Sequence, residues 1–124
     1  MLDKSNAKHK YDLEERTFLF AKKVREFVKA LPLSTANIED SKQVIRASGS
    51  VGANYIEANE SLSKKDFVMR IKICRKEAKE SAYWLKLILN TNIIENQSEG
   101  EMLLDEAIQL KKIFNSILQK STTS

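Results

Sequence analysis

Apolar residues recur along this chain at helical spacing in four separate stretches. The first stretch covers roughly residues 11–31, and its repeating apolar positions are Leu13, Phe20, Val24, Phe27 and Leu31. Intervals of 3, 4 and 7 residues place these side chains on one face of an amphipathic helix. The single proline, Pro32, is expected to end that helix. The polar residues 1–10 are expected to be flexible.

The second stretch predicts a helix over about residues 38–61. Ser34, Thr35 and Asn37 precede it, and all three are favourable N-cap types. Its main stripe is Val44, Ser48, Val51, Tyr55, Ala58 and Leu62. Gly49 and Gly52 fall inside this helix, where each costs about 1 kcal/mol relative to alanine. Their presence favours close packing against another helix; a hinge or a backbone contact with a ligand is the alternative.

The third and fourth stretches complete the pattern. Ser61 or Ser63 can cap a helix over about residues 64–90, and a fourth helix follows over about 99–120. The third stripe is Phe67, Ile71, Cys74, Ala78, Ser81, Leu85 and Ile88, and the fourth is Leu103, Ala107, Leu110, Phe114 and Ile117. Residues 121–124 are expected to be flexible. These elements predict one all-α domain over residues 1–124, an up-down-up-down antiparallel four-helix bundle.

Composition narrows the class of protein further. The 124 residues include three glycines and one proline, too few turn-formers for a β-sandwich or barrel. The single cysteine cannot form a disulfide within the chain, which fits a reducing, cytoplasmic setting. With 42% hydrophobic and 31% charged residues, the chain has enough apolar surface to fold. No apolar run approaches the ~20 residues of a membrane span, and the start lacks the apolar stretch of a signal peptide. These features predict a soluble, cytoplasmic protein without membrane contact.

Two helices carry more apolar surface than a single core stripe requires. On the third helix the additional residues are Ile73, Tyr83, Trp84 and Leu87, and on the second they are Ile45 and Ile56, with Gly52 beside them. Clustered exposed apolar residues commonly mark a subunit interface. We therefore expect a homo-oligomer; a wide core stripe in a thick bundle is the alternative.

The net charge of +4 is unevenly distributed. Residues 1–31 carry +3 and residues 63–92 carry +5, whereas residues 32–62 and 93–124 each carry −2. On the third helix the lysines share the face opposite its apolar seam, although like charges at i,i+4 repel one another. A stripe of this kind favours contact with a phosphate backbone, and an ordinary solvated face is the alternative. The candidate nucleic-acid-binding residues are Lys22, Lys23, Arg25, Lys72, Arg75, Lys76 and Lys79.

A second set of polar residues lies beside the apolar faces. It comprises Arg46, Ser50, Asn54, Glu57, Glu77, Glu80 and Trp84. Arg46 is expected to pair with Glu77, with Glu80 or with Glu57 of a neighbouring subunit, because long charged groups beside apolar surface need partners. This set is interpreted as a structural cluster of the oligomer, and a binding or catalytic cluster is the alternative.

Catalytic chemistry finds little support in the sequence. The single histidine, His9, lies in the segment expected to be flexible. Cys74 lies within the apolar seam, so we expect a buried, inert core residue. There is no His/Cys metal spacing, no glycine-rich phosphate loop and no Glu-x-x-His pair. The sequence therefore predicts no catalytic residues, no metal site and no cofactor.

Two motifs in the middle helices resemble a known family. RASGSVGANYIEAN spans Arg46–Asn59, and IKICRKEAKESAYWLKLIL spans Ile71–Leu89. Together they resemble the four-helix-bundle family of 23S rRNA intervening-sequence proteins. The residues that match the family patterns are Arg46, Ser50, Val51, Ala53, Asn54, Glu57 and Ala58 on the second helix, and Glu77, Glu80, Tyr83, Trp84 and Leu85 on the third.

The resemblance implies a four-helix bundle that assembles into a ring-like homopentamer. The family is also similar to the accessory variability determinant of diversity-generating retroelements, a basic barrel associated with nucleic acid and a reverse transcriptase. It supplies no catalytic residues.

The residues and the resemblance together predict a non-enzymatic oligomer that binds the backbone of RNA or DNA with little sequence specificity. The alternative is a protein-interaction scaffold or accessory subunit, for example of a reverse transcriptase, without direct nucleic-acid binding.

Overall fold

The computed structural model describes residues 4–122 of the chain, with side chains from residue 12 onward. Within that range four α-helices follow one another: α1 (Lys4–Lys29), α2 (Thr35–Asn59), α3 (Lys64–Thr91) and α4 (Gln97–Thr122). No strand occurs among the described residues. The predicted number and order of helices are confirmed.

The helix ends differ from the predicted ones where local chemistry extends them. The Ser34 hydroxyl accepts a hydrogen bond from the Asn37 backbone N–H at 3.1 Å, so α2 begins at Thr35 rather than near residue 38. Ser63 caps α3 in the same way through the N–H of Asp66. Residues 4–10 continue α1 toward its N-terminus, beyond the apolar stripe on which the sequence prediction depended. The expectations for residues 1–3 and 123–124 lie outside the described part of the chain.

The four helices form the predicted up-down-up-down bundle. Each helix packs against the next one in the chain, and α4 closes the bundle against α1. The backbones of the diagonal pairs stay apart, although the rings of Tyr55 on α2 and Phe114 on α4 meet across the core with centroids 5.7 Å apart. The α2–α3 and α3–α4 seams are extensively packed, whereas α1 and α4 meet over a much shorter length. This order leaves the seam between α1 and α4 the most open side of the bundle.

The core is formed by the predicted stripes, with small and large residues from all four helices. The largest fully buried side chains include Phe20, Phe27, Ile71, Leu85 and Phe114. Leu62 is the clearest exception, since it is 98% exposed. The helical spacing that includes Leu62 no longer applies there, because α2 ends at Asn59. No described helix is long and apolar enough to cross a membrane.

The two helical glycines of α2 lie where α1 approaches closely. A β-carbon on Gly52 would meet the hydroxyl of Thr17 at 2.9 Å and its Cβ at 3.2 Å. At Gly49 the nearest atom is the guanidinium Nη2 of Arg25, at 3.1 Å. The expectation of close helix packing is confirmed at Gly52, whereas only the end of a flexible side chain lies near Gly49.

Candidate nucleic-acid interface

Cationic side chains of α3 and α4 line a shallow groove of about 580 Å³ between these two helices. We call this set the cationic patch; its members are Arg75, Lys76, Lys79, Lys111 and Lys112. Ile108 and Asn115 complete the lining, and no acidic residue contributes to it. The guanidinium of Arg75 donates a hydrogen bond to the Asn115 side-chain oxygen at 3.1 Å, which ties α3 to α4 at this point.

Three of the four α3 cations predicted to bind nucleic acid belong to the cationic patch. The fourth, Lys72, lies on an adjoining surface that we call the α3 lysine face. This face consists of Lys64, Lys65, Val68, Met69, Lys72, Ile73 and Lys76. Lys76 belongs to both surfaces, so positive charge continues along the outside of α3 from its first turn to Lys79.

The predicted cations of α1 lie elsewhere on the bundle. α1 packs against α2 and α4 and lies diagonally across the bundle from α3. The Arg25 guanidinium donates hydrogen bonds to the backbone oxygens of Ala21 at 3.0 Å and Ile45 at 3.4 Å, at the α1–α2 seam. Lys23 lines the opposite seam, between α1 and α4. The structure therefore does not bring Lys22, Lys23 and Arg25 together with the cations of α3.

The contribution of α4 to this surface was not predicted from the sequence. Lys111 and Lys112 lie in a segment whose net charge is −2, so a count of charge by segment does not indicate a basic surface there. Both lysines lie between Leu110 and Phe114, which are buried, and this position indicated that they lie beside a helix–helix seam. Residues next to a buried helical stripe flank the seam with a neighbouring helix, although the stripe does not say which neighbour.

The polar cluster centres on an ion pair between α2 and α3. Arg46 donates hydrogen bonds to Glu80 at 2.8 Å and to Glu77 at 3.4 Å. The Glu77 side chain is only 8% exposed, whereas that of Arg46 is 55% exposed. Of the three partners expected for Arg46, the structure shows these two within one chain. A buried carboxylate needs such a partner, so the ion pair has a structural role in holding α2 against α3.

The rest of the cluster is also joined by contacts within the chain. The Asn54 amide donates to the hydroxyl and the backbone oxygen of Ser50, both at 2.9 Å, and its oxygen accepts from Arg70 at 3.0 Å. Trp84 is half-buried against the core and meets the ring of Tyr83 edge-on, with centroids 5.1 Å apart. Glu57 is exposed. Contacts between α2 and α3 thus involve Arg46, Asn54, Glu77 and Glu80, and Ser50 is joined to them through Asn54.

The described residues contain no group of three or more His, Cys, Asp or Glu side chains placed to hold a metal ion. Cys74 is fully buried, and its thiol donates to the backbone oxygen of Val51 at 3.4 Å. Burial raises the pKa of this thiol to about 12, which keeps it protonated and unreactive at neutral pH. The expectation of a buried core cysteine is confirmed.

A second groove, not anticipated from the sequence, runs between α1 and α4 with a volume of about 790 Å³. Its lining carries six acidic residues and two basic ones, a net charge of −4. The guanidinium of Arg16 donates hydrogen bonds to both carboxylate oxygens of Glu106, at 2.7 and 2.8 Å, and these bonds raise the pKa of Arg16. We call this feature the acidic groove.

The fold and these surfaces define the chain as an antiparallel four-helix-bundle protein with a basic face on α3 and α4. The chain belongs to the family of 23S rRNA-intervening sequence proteins, whose family model matches residues 9–116. This membership confirms the resemblance seen in the two middle helices.

A similar solved structure is a protein of unknown function from the S23 ribosomal protein family of Bacteroides thetaiotaomicron. It is 30% identical to this chain, has a TM-score of 0.77, and the match covers 89% of this chain and 97% of that one. No curated protein matches at a significant level. Neither the family description nor the description of that solved protein names an enzymatic activity.

Proposed function

We propose that this chain is a non-enzymatic, oligomeric bundle protein that binds the phosphate backbone of RNA or DNA with little sequence specificity. The observation that carries the proposal is the cationic patch, in which five basic side chains from two helices converge without an acidic residue among them. Such a surface attracts a polyanion by releasing its condensed counterions.

The make-up of the patch favours backbone contact over base recognition. Lys76, Lys79, Lys111 and Lys112 are exposed, so their ammonium groups are accessible to phosphate oxygens. No aromatic ring lines the patch, so it offers no platform on which an unpaired base can stack. Phosphate contacts position a nucleic acid but carry no sequence information. The expected binding is therefore tolerant of sequence and sensitive to salt.

Assembly would strengthen this binding by repeating the patch on one particle. Several large apolar side chains are exposed on the single chain, among them Ile56 at 50%, Met69 at 57%, Tyr83 at 59% and Met102 at 71%. Such exposure supports self-association. In the homopentamer that the family resemblance implies, the formal charge of +4 per chain becomes +20.

Fluorescence anisotropy with a labelled single-stranded RNA and its DNA counterpart, each of about 20 nucleotides, tests the proposal. If about five phosphates are neutralised, the log–log salt slope is about −3.5, and affinity falls about a hundredfold between about 50 and about 200 mM salt. The variant Lys79→Glu/Lys111→Glu/Lys112→Glu is expected to weaken binding at least about tenfold at the lower salt concentration.

The matched control is Lys29→Glu/Lys42→Glu/Lys86→Glu, which changes the net charge equally through exposed lysines outside the patch. It is expected to bind more tightly than the patch variant. Equal losses for the two variants would mean that net charge, not the patch, controls binding. Absence of binding at about 50 mM salt would overturn the nucleic-acid part of the proposal and favour the protein-interaction scaffold.

A further inference from the structure

The acidic groove and the α3 lysine face are complementary in charge and in apolar content. From this complementarity we infer that the α3 lysine face of one copy binds in the acidic groove, between α1 and α4, of the next copy. The inference rests on the assembly contained in the proposed function and deepens it by naming the two surfaces that meet.

The acidic groove has an apolar floor between charged rims. Phe20, Phe27 and Leu103 lie at its base, while Leu19 and Met102 are exposed along it at 37% and 71%. The rims carry the acids of both helices: Asp12, Glu15 and Glu26 of α1, and Glu99, Asp105 and Glu106 of α4. Because α1 and α4 form the least packed seam of the bundle, this apolar floor stays open.

The α3 lysine face also has an apolar centre, but the residues that flank it are positively charged, whereas those of the groove are mainly acidic. Val68, Met69 and Ile73 form its apolar strip, and Met69 is 57% exposed. Lys64, Lys65, Lys72 and Lys76 flank that strip, with no acidic residue among the lining. The face thus carries +4, against −4 in the groove. Matching opposite charges around an apolar contact fix the register of two surfaces and suppress other pairings.

The two surfaces also correspond in length. From Lys64 to Lys76 the α3 lysine face extends about 18 Å, at about 1.5 Å per helical residue. From Asp12 to Phe27 the groove follows α1 for about 22 Å. A helix lying in a groove between two others, with its apolar strip inward and its charges at the rims, is a common mode of recognition. The α1 rim of the groove is therefore long enough to follow the full face, and the α4 rim, from Glu99 to Glu106, covers about 10 Å of it.

A single chain offers both surfaces at once, since the groove uses α1 and α4 whereas the face uses only the outside of α3. Contact between two different surfaces of identical chains is heterologous, and successive copies then continue in one direction until a ring closes. Four of the five residues of the cationic patch, Arg75, Lys79, Lys111 and Lys112, lie outside this contact. Assembly and nucleic-acid binding thus depend on largely separate residues.

Charge reversal tests the pairing, with the mass of the assembly measured by light scattering and native mass spectrometry. Lys65→Glu/Lys72→Glu alters the face and Glu15→Lys/Asp105→Lys alters the groove; all four residues are exposed. Each variant is expected to be monomeric under conditions where the unaltered chain assembles. The chain carrying all four changes is expected to reassemble, because its two surfaces are complementary again.

Control variants with equal charge changes, Lys22→Glu/Lys86→Glu and Glu60→Lys/Glu95→Lys, are expected to assemble normally; their sites lie outside both surfaces. Circular dichroism verifies that every variant is folded. If the unaltered chain assembles and either altered surface leaves assembly intact, the inference is wrong while the proposed assembly stands. The inference is equally wrong if the four-substitution chain stays monomeric. A monomeric unaltered chain would overturn both.

Discussion

Replacing each of the two helical glycines of α2 by alanine is expected to change stability in opposite directions. Both substitutions gain about 1 kcal/mol of helix propensity. At Gly49 the new methyl would meet only the guanidinium end of Arg25, at 3.1 Å, and a flexible side chain can move aside. At Gly52 it would meet the Thr17 hydroxyl at 2.9 Å and its Cβ at 3.2 Å.

The magnitudes follow from how far each neighbour can yield. Thr17 is 1% exposed, and its hydroxyl donates to the backbone oxygen of Glu14 at 2.9 Å, so it has little freedom to move. Overpacking of this kind costs about 1–3 kcal/mol, which offsets the propensity gain and leaves Gly52→Ala about 1 kcal/mol less stable than the unaltered protein. Gly49→Ala is expected to be about 0.5–1 kcal/mol more stable.

Urea unfolding followed by circular dichroism measures both effects. It should be carried out at one protein concentration, because assembly makes stability concentration-dependent. The matched background is Thr17→Ala, which removes the hydroxyl and should make Gly52→Ala less costly while leaving the effect of Gly49→Ala unchanged. If Gly52→Ala stabilises the protein as much as Gly49→Ala does, α1 and α2 do not approach closely at this point.

Two further predictions concern buried ionisable groups. Arg46→Met is expected to cost about 1–2 kcal/mol in urea unfolding, because it leaves the buried Glu77 carboxylate without its closest α2 cation, while the exposure of Arg46 limits the loss. Lys42→Met, which removes only an exposed pair with Glu39, is the control, and an equal cost for both would contradict the structural role of Arg46. Burial raises the pKa of Cys74 from 9.0 to about 12, so the unfolded thiol loses its proton first and stability should fall as pH rises between these values. Between about pH 8 and about pH 10 the free energy of unfolding should fall more for the unaltered protein than for Cys74→Ala. Equal falls for the two proteins would refute this prediction.

Much of the fold could be predicted because helical periodicity is a local property. The stripes that include Phe20, Val51, Ile71 and Phe114 mark the buried face of each helix without reference to any other helix. The same holds for the N-cap Ser63, which was one of two candidates, and for Cys74 in the third seam. The two motifs of the middle helices indicated the family for the same reason.

Contacts between helices could not be predicted from periodicity alone. Asn37, considered as an N-cap, is instead buried and exchanges amide hydrogen bonds of 2.8 and 2.9 Å with Asn92 at the end of α3. Fifty-five residues separate the two along the chain. No local pattern marks such a pair, because its geometry exists only after α2 and α3 have packed.

The sequence by itself determined four amphipathic helices, their order, their buried faces and a basic excess on the third. Only the tertiary structure decided which charges share a surface. It joined Lys111 and Lys112 to the cations of α3, placed the basic residues of α1 elsewhere, and gathered acids of α1 and α4 around an open groove. The physical reason is that spacing fixes the direction of a side chain around its own helix, whereas its neighbours depend on how the helices are arranged around the core.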